Sequence, residues 1–389
     1  MDIKWSDRIS DLPPYLFAEI DKKKAEQIAK GVDVIDLGVG DPDIPTPSHI
    51  VKAAADAVAD PSNHRYPSYA GMAEFRAAAA KWYEKRFGLK LDPDTQVLAL
   101  IGSKEGVAHA PMAFVNPGDT ALVPDPGYPV YPVSVSFAGG VCHTMPLLKE
   151  NGFLPDFGAV APEVADKAAM MFLNYPNNPT TAIADEAFFA DAVEFALKHN
   201  IVICHDAAYT EVAFDGYSPP SFLTTPGAME VGIEFHSLSK TFSMTGWRIA
   251  FAAGSPRAVA ALGKVKTNID SGAFQAVQVA AIEALTGRDE GFSQRVETYK
   301  TRRDIFCKGL DRAGLSYGKP PLSTFYVWFE VPKGVTSARF SSAVLEQCGV
   351  VLTPGNGFGD FGEGYARASI TFDTERIKEA ADRIASLSL

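Results

Sequence analysis

The chain has 389 residues, 47% hydrophobic and 11% aromatic, with a formal net charge of −11. That length exceeds the usual single core, so two domains are expected, and the apolar fraction suits a filled globular interior. The acidic balance argues against nucleic acid as a partner, and no run approaches the roughly 20 apolar residues that cross a bilayer. Cys142, Cys204, Cys307 and Cys348 are scattered without a CxxC, and the histidines make no metal spacing. Asp2, Asp7 and Asp11 stand where a signal peptide would carry basic and apolar blocks. The expected protein is cytoplasmic and binds no metal.

A helical pattern spans 22–30. Short apolar runs at 97–101, 120–123, 141–145, 168–173, 201–205, 232–236 and 248–252 then read as strands buried on both faces. Helical patterns at 105–114, 185–199 and 256–265 fall between them. Continuous apolar strands separated by helices indicate a mainly parallel sheet covered on both sides, an α/β domain. The last hundred residues differ. A long helical pattern at 290–313, a strand at 324–330, a helix at 337–347, a strand at 365–371 and a closing helix at 374–386 predict a smaller α+β domain. The 22–30 helix is expected to pack on it. The expected division is a large α/β domain over 35–285, with 1–34 and 286–389 forming an N-terminal arm and the small domain.

The chemistry gathers where apolar runs end. Ser237-Leu238-Ser239-Lys240-Thr241-Phe242, followed by Gly246-Trp247-Arg248, comes directly after the run ending at His236. A lysine in a polar loop is ordinarily a solvated charge. One that leaves a buried strand emerges at a cleft, where desolvation and nearby cations favour the neutral amine that attacks an aldehyde. Ser237, Ser239 and Arg248 supply the hydroxyl donors and charged fork that a phosphate monoester needs. Asp206 follows the run 201–205, and Tyr209 lies three residues on. Ligands of open α/β sheets bind at strand carboxyl ends. Asp206 therefore reads either as a cap or as the partner of a protonated heteroaromatic nitrogen. Tyr209 is either a half-buried core tyrosine or a donor to the same ring's phenolic oxygen.

Asn174-Tyr175-Pro176-Asn177-Asn178-Pro179-Thr180 also follows an apolar run; Asn-Pro makes a turn, and Asn178 is placed to reach that oxygen. Gly102-Ser103-Lys104-Glu105-Gly106 joins a strand to a helix. Free N–H groups and the Ser103 hydroxyl suit phosphate there, while Lys104 is either a ligand or surface charge. Asp125-Pro126-Gly127-Tyr128-Pro129 presents the Tyr128 ring to a flat ligand. Arg367 sits inside the apolar run 365–371, where it either pairs with an internal acid or awaits an anion such as a carboxylate. Gly357-Phe358-Gly359-Asp360-Phe361-Gly362 matches GxGxxG literally but opens no helix. It reads as a flexible loop beside Arg367 rather than a dinucleotide fingerprint.

In this order, the elements resemble the class I and II aminotransferases of pyridoxal 5′-phosphate (PLP) fold type I, over nearly the whole chain. The resemblance implies a PLP-dependent transferase fold: a mainly parallel seven-stranded sheet between helices, plus the small domain. It implies a Schiff base between Lys240 and PLP, Asp206 on the pyridine nitrogen, and Tyr209 and Asn178 at the phenolic oxygen. Tyr128 is then the stacking aromatic, and Ser103, Lys104, Ser237, Ser239 and Arg248 hold the phosphate. Arg367 binds the substrate carboxylate, and Lys104, Tyr128 and Asn178 also border the substrate. Tyr66, in Arg65-Tyr66-Pro67, matches a tyrosine that relatives place on the neighbouring subunit's cofactor phosphate. Ser271 is a second residue of that kind. A homodimer with composite active sites is implied, as is ping-pong transfer of an amino group between an amino acid and a 2-oxo acid.

Leu12-Pro13-Pro14-Tyr15-Leu16-Phe17-Ala18-Glu19-Ile20 and Asp36-Leu37-Gly38-Val39-Gly40-Asp41 are similar to the LL-diaminopimelate aminotransferases. That likeness puts Tyr15 on the substrate, against the alternative of a hydrophobic anchor for the N-terminal arm. It also brings the Gly40 backbone close to the substrate carboxylate, because no side chain intervenes. The reaction implied links LL-diaminopimelate and 2-oxoglutarate in lysine biosynthesis. Asp41-Pro42-Asp43 is common to the wider family and does not discriminate substrates. Three alternatives share the cofactor residues. One is an aminotransferase for aspartate, alanine or aromatic amino acids; another is a PLP-dependent C–S lyase. The third is a non-catalytic PLP-sensing regulator, for whose DNA-binding segment the short acidic start leaves no room.

Overall fold

The computed structural model describes residues 3–10, 12, 16–287 and 291–387. Seven strands form one sheet, in the order Val97–Leu100, Ala250–Gly254, Gly232–Ser237, Val202–Asp206, Ala168–Leu173, Thr120–Asp125 and Val141–Pro146. Neighbours from Gly232–Ser237 onward run parallel, whereas Ala250–Gly254 is antiparallel to both strands beside it. This is the mainly parallel seven-stranded sheet that the apolar runs imply. Alternation along the strands fills both faces. Met171, Leu173, Phe251 and Ala253 pack on one side with Tyr83 and Ala192. Met170, Phe172, Ala250 and Ala252 pack on the other with Val107 and Leu262.

Val141–Pro146 departs from the expectation of two-sided burial. It is the last strand of the sheet, so nothing pairs with its outer edge among the described residues. Val141, Cys142 and Thr144 are exposed, and only Met145 is buried.

A second, antiparallel sheet holds Thr353–Pro354, Tyr365–Ser369 and Tyr326–Glu330. The helices Phe292–Ala313 and Thr374–Ala385 share its core through Phe306, Phe325 and Ile377. Ile35 and Leu37 belong to that core too, and Ile35–Asp36 pairs with Val350–Val351. The early helix runs over Leu16–Ala29, longer than its sequence pattern because no Gly or Pro interrupts it. It meets Ser337–Cys348, where Lys23 Nζ donates to Ser342 Oγ at 2.8 Å. Among the described residues, no helix is long and apolar enough to cross a membrane.

One tie fastens the second sheet to the first, and another pins the segment around Asp43 beside it. The segment 357–362 is not a flexible loop, because Asp125 captures it. The Asp125 carboxylate accepts from Asp360 N at 3.1 Å and Phe361 N at 3.0 Å, across the short turns Gly355–Phe358 and Asp360–Gly362. On the other side, buried Arg302 grips Asp43 with two bonds of 2.7 and 2.8 Å and also reaches Ile370 O and Thr374 Oγ1. Arg302→Ala removes all four bonds and is expected to lower the unfolding free energy by about 2 kcal/mol. Urea denaturation measures it, and an unchanged midpoint would contradict this role for the tie.

Candidate active site

Topology brings the chemistry to one edge of the large sheet. Parallel strands end there at Asp125, Leu173, Asp206 and Ser237, and the antiparallel Ala250–Gly254 begins there. Lys240, Asp206, Tyr209, Asn178, Tyr128, Ser103, Lys104, Ser237, Ser239, Arg248 and Gly40 consequently line a single cavity of about 340 Å³. Arg367 joins them from the second sheet. A larger cleft of about 820 Å³, bordered by Thr180, Tyr317 and Trp328, holds none of these groups. Size does not select the site; chemistry does.

Two expected residues lie elsewhere. Tyr66 is 88% exposed and Ser271 is exposed, and neither borders the cavity. Tyr15 lies outside the described residues. Away from the cavity, Glu105, His109 and Asp270 bring metal-ligand atoms within 4.8 Å of one another. The Lys266 ammonium already bridges Glu105 and Asp270, so the place for a cation is taken.

Lys240 stands on the short helix Leu238–Thr241, and its Nζ donates to Gly40 O at 2.9 Å. Burial pushes the amine's pKa down, opposed by Tyr326 and Asp41 and aided by Arg367 and Arg248. Glycine is required at position 40, since an added Cβ would lie 2.1 Å from the Tyr326 hydroxyl.

Asp206 is buried at its strand's end. Its Oδ2 accepts from Tyr131 Oη at 3.0 Å, its main-chain O accepts from Asn174 Nδ2 at 2.6 Å, and Oδ1 has no partner among the described residues. Burial pushes the carboxyl's pKa up, and the Tyr131 hydroxyl counters it. Arg367 is the opposite case. Nη1 donates to Asn178 Oδ1 at 2.6 Å, Nη2 donates to Gly38 O at 2.7 Å, and Nε has no partner among the described residues. The guanidinium lies 4.1 Å from the Tyr326 ring centre and 4.7 Å from that of Phe358, and no carboxylate bonds to it among the described residues.

One end of the cavity is built from a helix start. The helix Ser103–Phe114 begins at Gly102, whose φ of +99° suits glycine, and a Cβ there would lie 2.1 Å from Arg248 Nη2. Arg248 Nη1 donates to Thr245 O at 2.6 Å, which holds the guanidinium beside free N–H groups and Ser103. Tyr128 packs edge-on against Tyr131, 5.7 Å away, and Tyr131 stacks on Phe172 at 4.7 Å.

The profile of the family Aminotransferase class I and II matches residues 32–384. The chain belongs to that family. Among its relatives, the LL-diaminopimelate aminotransferase of Syntrophobacter fumaroxidans is 56% identical over 383 residues, 98% of each chain. The enzyme of that name from Aquifex aeolicus is 54% identical, covering 99% of this chain and all of its own. Among solved structures, substrate-bound BacF from Bacillus subtilis superposes with a TM-score of 0.94 at 41% identity, covering 99% of this chain and 98% of its own. A Thermus thermophilus aspartate aminotransferase mutant gives 0.92 at 29% identity, covering 99% of both chains. Aminotransferases of this class are PLP enzymes in general.

Tyr131 and Tyr326 border this aminotransferase's cavity without being marked by sequence. Tyr131 lies three residues after Tyr128 and donates its N–H to that residue's carbonyl, in a turn that leads into the helix Val130–Phe137. Tyr326 looks like an ordinary core aromatic, whereas Phe358 belongs to the segment already expected beside Arg367, and its ring lies there. Tyr131→Phe strips Asp206 of its one side-chain donor among the described residues, so the carboxyl is harder to ionise. The acidic limb of the pH–rate profile is expected to move up by about one unit. An unmoved limb would show that the hydroxyl does not set Asp206.

Proposed function

We propose that this aminotransferase holds PLP in the 340 Å³ cavity and exchanges the amino group of LL-diaminopimelate with 2-oxoglutarate. One observation carries the cofactor reading: Asp206 Oδ1 and Arg367 Nε are buried without partners, and both residues line the same cavity. Unmet opposite charges at one cavity fit a ligand with a protonated ring nitrogen and a neighbouring carboxylate. The choice of substrate rests on the relatives named LL-diaminopimelate aminotransferase. Fold alone does not choose, because an aspartate aminotransferase shares it.

PLP, when bound, supplies an aldehyde that takes the amine and a protonated ring that draws electrons from the substrate's α carbon. Lys240, whose amine burial biases toward the neutral form, would take the proton from that carbon and pass it to the cofactor's C4′ carbon. Asp206 would hold the proton on the ring nitrogen. Tyr209 and Asn178 would hydrogen-bond the phenolic oxygen, Tyr128 would stack on the ring, and Ser103, Lys104, Ser237, Ser239 and Arg248 would hold the phosphate. Arg367 orients the α-carboxylate with its planar fork. Glutamate formed from LL-diaminopimelate and 2-oxoglutarate should outpace that from aspartate or alanine by at least about tenfold in kcat/KM. Lys240→Ala should lose both turnover and the visible absorbance of the bound cofactor. A variant still working at the wild-type rate would remove the lysine from the chemistry.

We also read the chain as two domains, 35–285 and the remainder, with Ile35 and Leu37 contributing to the smaller one's core. The active form is a homodimer in which Tyr66 of the partner subunit completes the phosphate site. What supports it is an exposed apolar patch: Tyr66, Ile269 and Phe274 lie on segments joined where Gln275 Nε2 donates to Arg65 O. Sedimentation should give twice the chain mass. Phe274→Asp should yield an inactive monomer, and a fully active monomer would rule out shared sites.

A further inference from the structure

Behind the cavity lies a polar network that the reaction does not touch. Glu234, on the strand Gly232–Ser237, is fully buried. Its Oε1 accepts from Ser221 Oγ at 2.9 Å, from His236 Nε2 at 2.7 Å and from Tyr83 Oη. Its Oε2 accepts from Phe222 N at 2.9 Å and lies 2.8 Å from His205 Nδ1. Burial pushes this carboxyl's pKa up, but the hydrogen bonds from His205 and His236 outweigh it and hold the group below the usual carboxylate range. An ionised carboxylate only accepts.

His205 links this network to the active site. The main-chain N–H of Tyr175 donates to His205 Nε2 at 3.2 Å. Since Nε2 accepts, the ring proton must sit on Nδ1, and that tautomer needs an acceptor facing Nδ1. Glu234 Oε2 is that acceptor. The Tyr175 bond stands beside a second anchor, Asn174 Nδ2 to Asp206 O. Consecutive residues 174 and 175 are thereby fastened to 206 and 205. Asn178, whose N–H donates to Asn174 Oδ1 at 2.8 Å, follows directly in the loop.

We infer that Glu234 is a positioning residue: by fixing the Nδ1–H tautomer of His205, its carboxylate sets the loop that presents Asn178. The inference deepens the aminotransferase reading, yet the tautomer can be read without substrate. A glutamine at 234 keeps its carbonyl oxygen toward Nδ1, because the Phe222 N–H donates to the same position, whereas a leucine leaves the Nδ1–H without its acceptor.

Nitrogen-15 NMR of histidine-labelled wild-type holoenzyme is expected to show a neutral His205 ring protonated at Nδ1. A ring protonated at Nε2, or at both nitrogens, overturns the inference before any variant is made. Glu234→Leu should raise the Nε2–H fraction and lower kcat about tenfold while bound cofactor is retained, whereas Glu234→Gln should keep both near wild type. Adding Glu234→Leu to His205→Phe should cost little further kcat, because the effect runs through the imidazole. Additive losses, or lost activity with an unchanged tautomer, also overturn it. Wild-type protein without aminotransferase activity would instead sink the functional reading, and the NMR result would still decide the tautomer.

Discussion

At 2.6 Å, the hydrogen bond from Arg367 Nη1 to Asn178 Oδ1 is where the two sheets meet over the cavity. A guanidinium out of water is costly unless its charge is compensated. Here the compensation is partial and entirely neutral: an amide oxygen, the Gly38 carbonyl and the faces of Tyr326 and Phe358. These groups hold the cation in place without cancelling it. The charge therefore remains available to an anion, and the fold carries the expense of keeping it so.

Asp206 follows the same logic with the sign reversed. One oxygen is satisfied by Tyr131 and the other is left bare, so burial drives the carboxyl toward its protonated form. A cation beside the bare oxygen would reverse that push, because an opposite charge favours ionisation. Lys240 completes the pattern, since desolvation biases its amine toward the neutral form. Each group is poised against its ordinary behaviour in water, and each is held by an element rooted in a sheet.

How much of this was legible depended on whether a residue's role was local. The strands were readable because sheets buried on both faces need continuous apolar runs, as in Met170-Met171-Phe172-Leu173. The cavity residues were readable because parallel strands deliver their carboxyl ends to one edge. Val141–Pro146 misled because an edge strand can be as apolar as a central one; only position in the sheet separates them. The 357–362 segment misled because its anchor, Asp125, is far away in sequence. Glu234 and His205 gave no signal, since polar residues in apolar runs acquire meaning only from what the neighbouring strand places against them.

The packing of Gly40 against Tyr326 has an evolutionary corollary. The Tyr326 hydroxyl fills the space where residue 40 would carry its Cβ, so position 40 cannot gain a side chain alone. A descendant that gains a side chain at 40 must first vacate the tyrosine ring, and that ring also faces Arg367. Change at 40 is therefore conditional on change at a distant codon, and any lineage with a side chain at 40 should carry a smaller residue at 326.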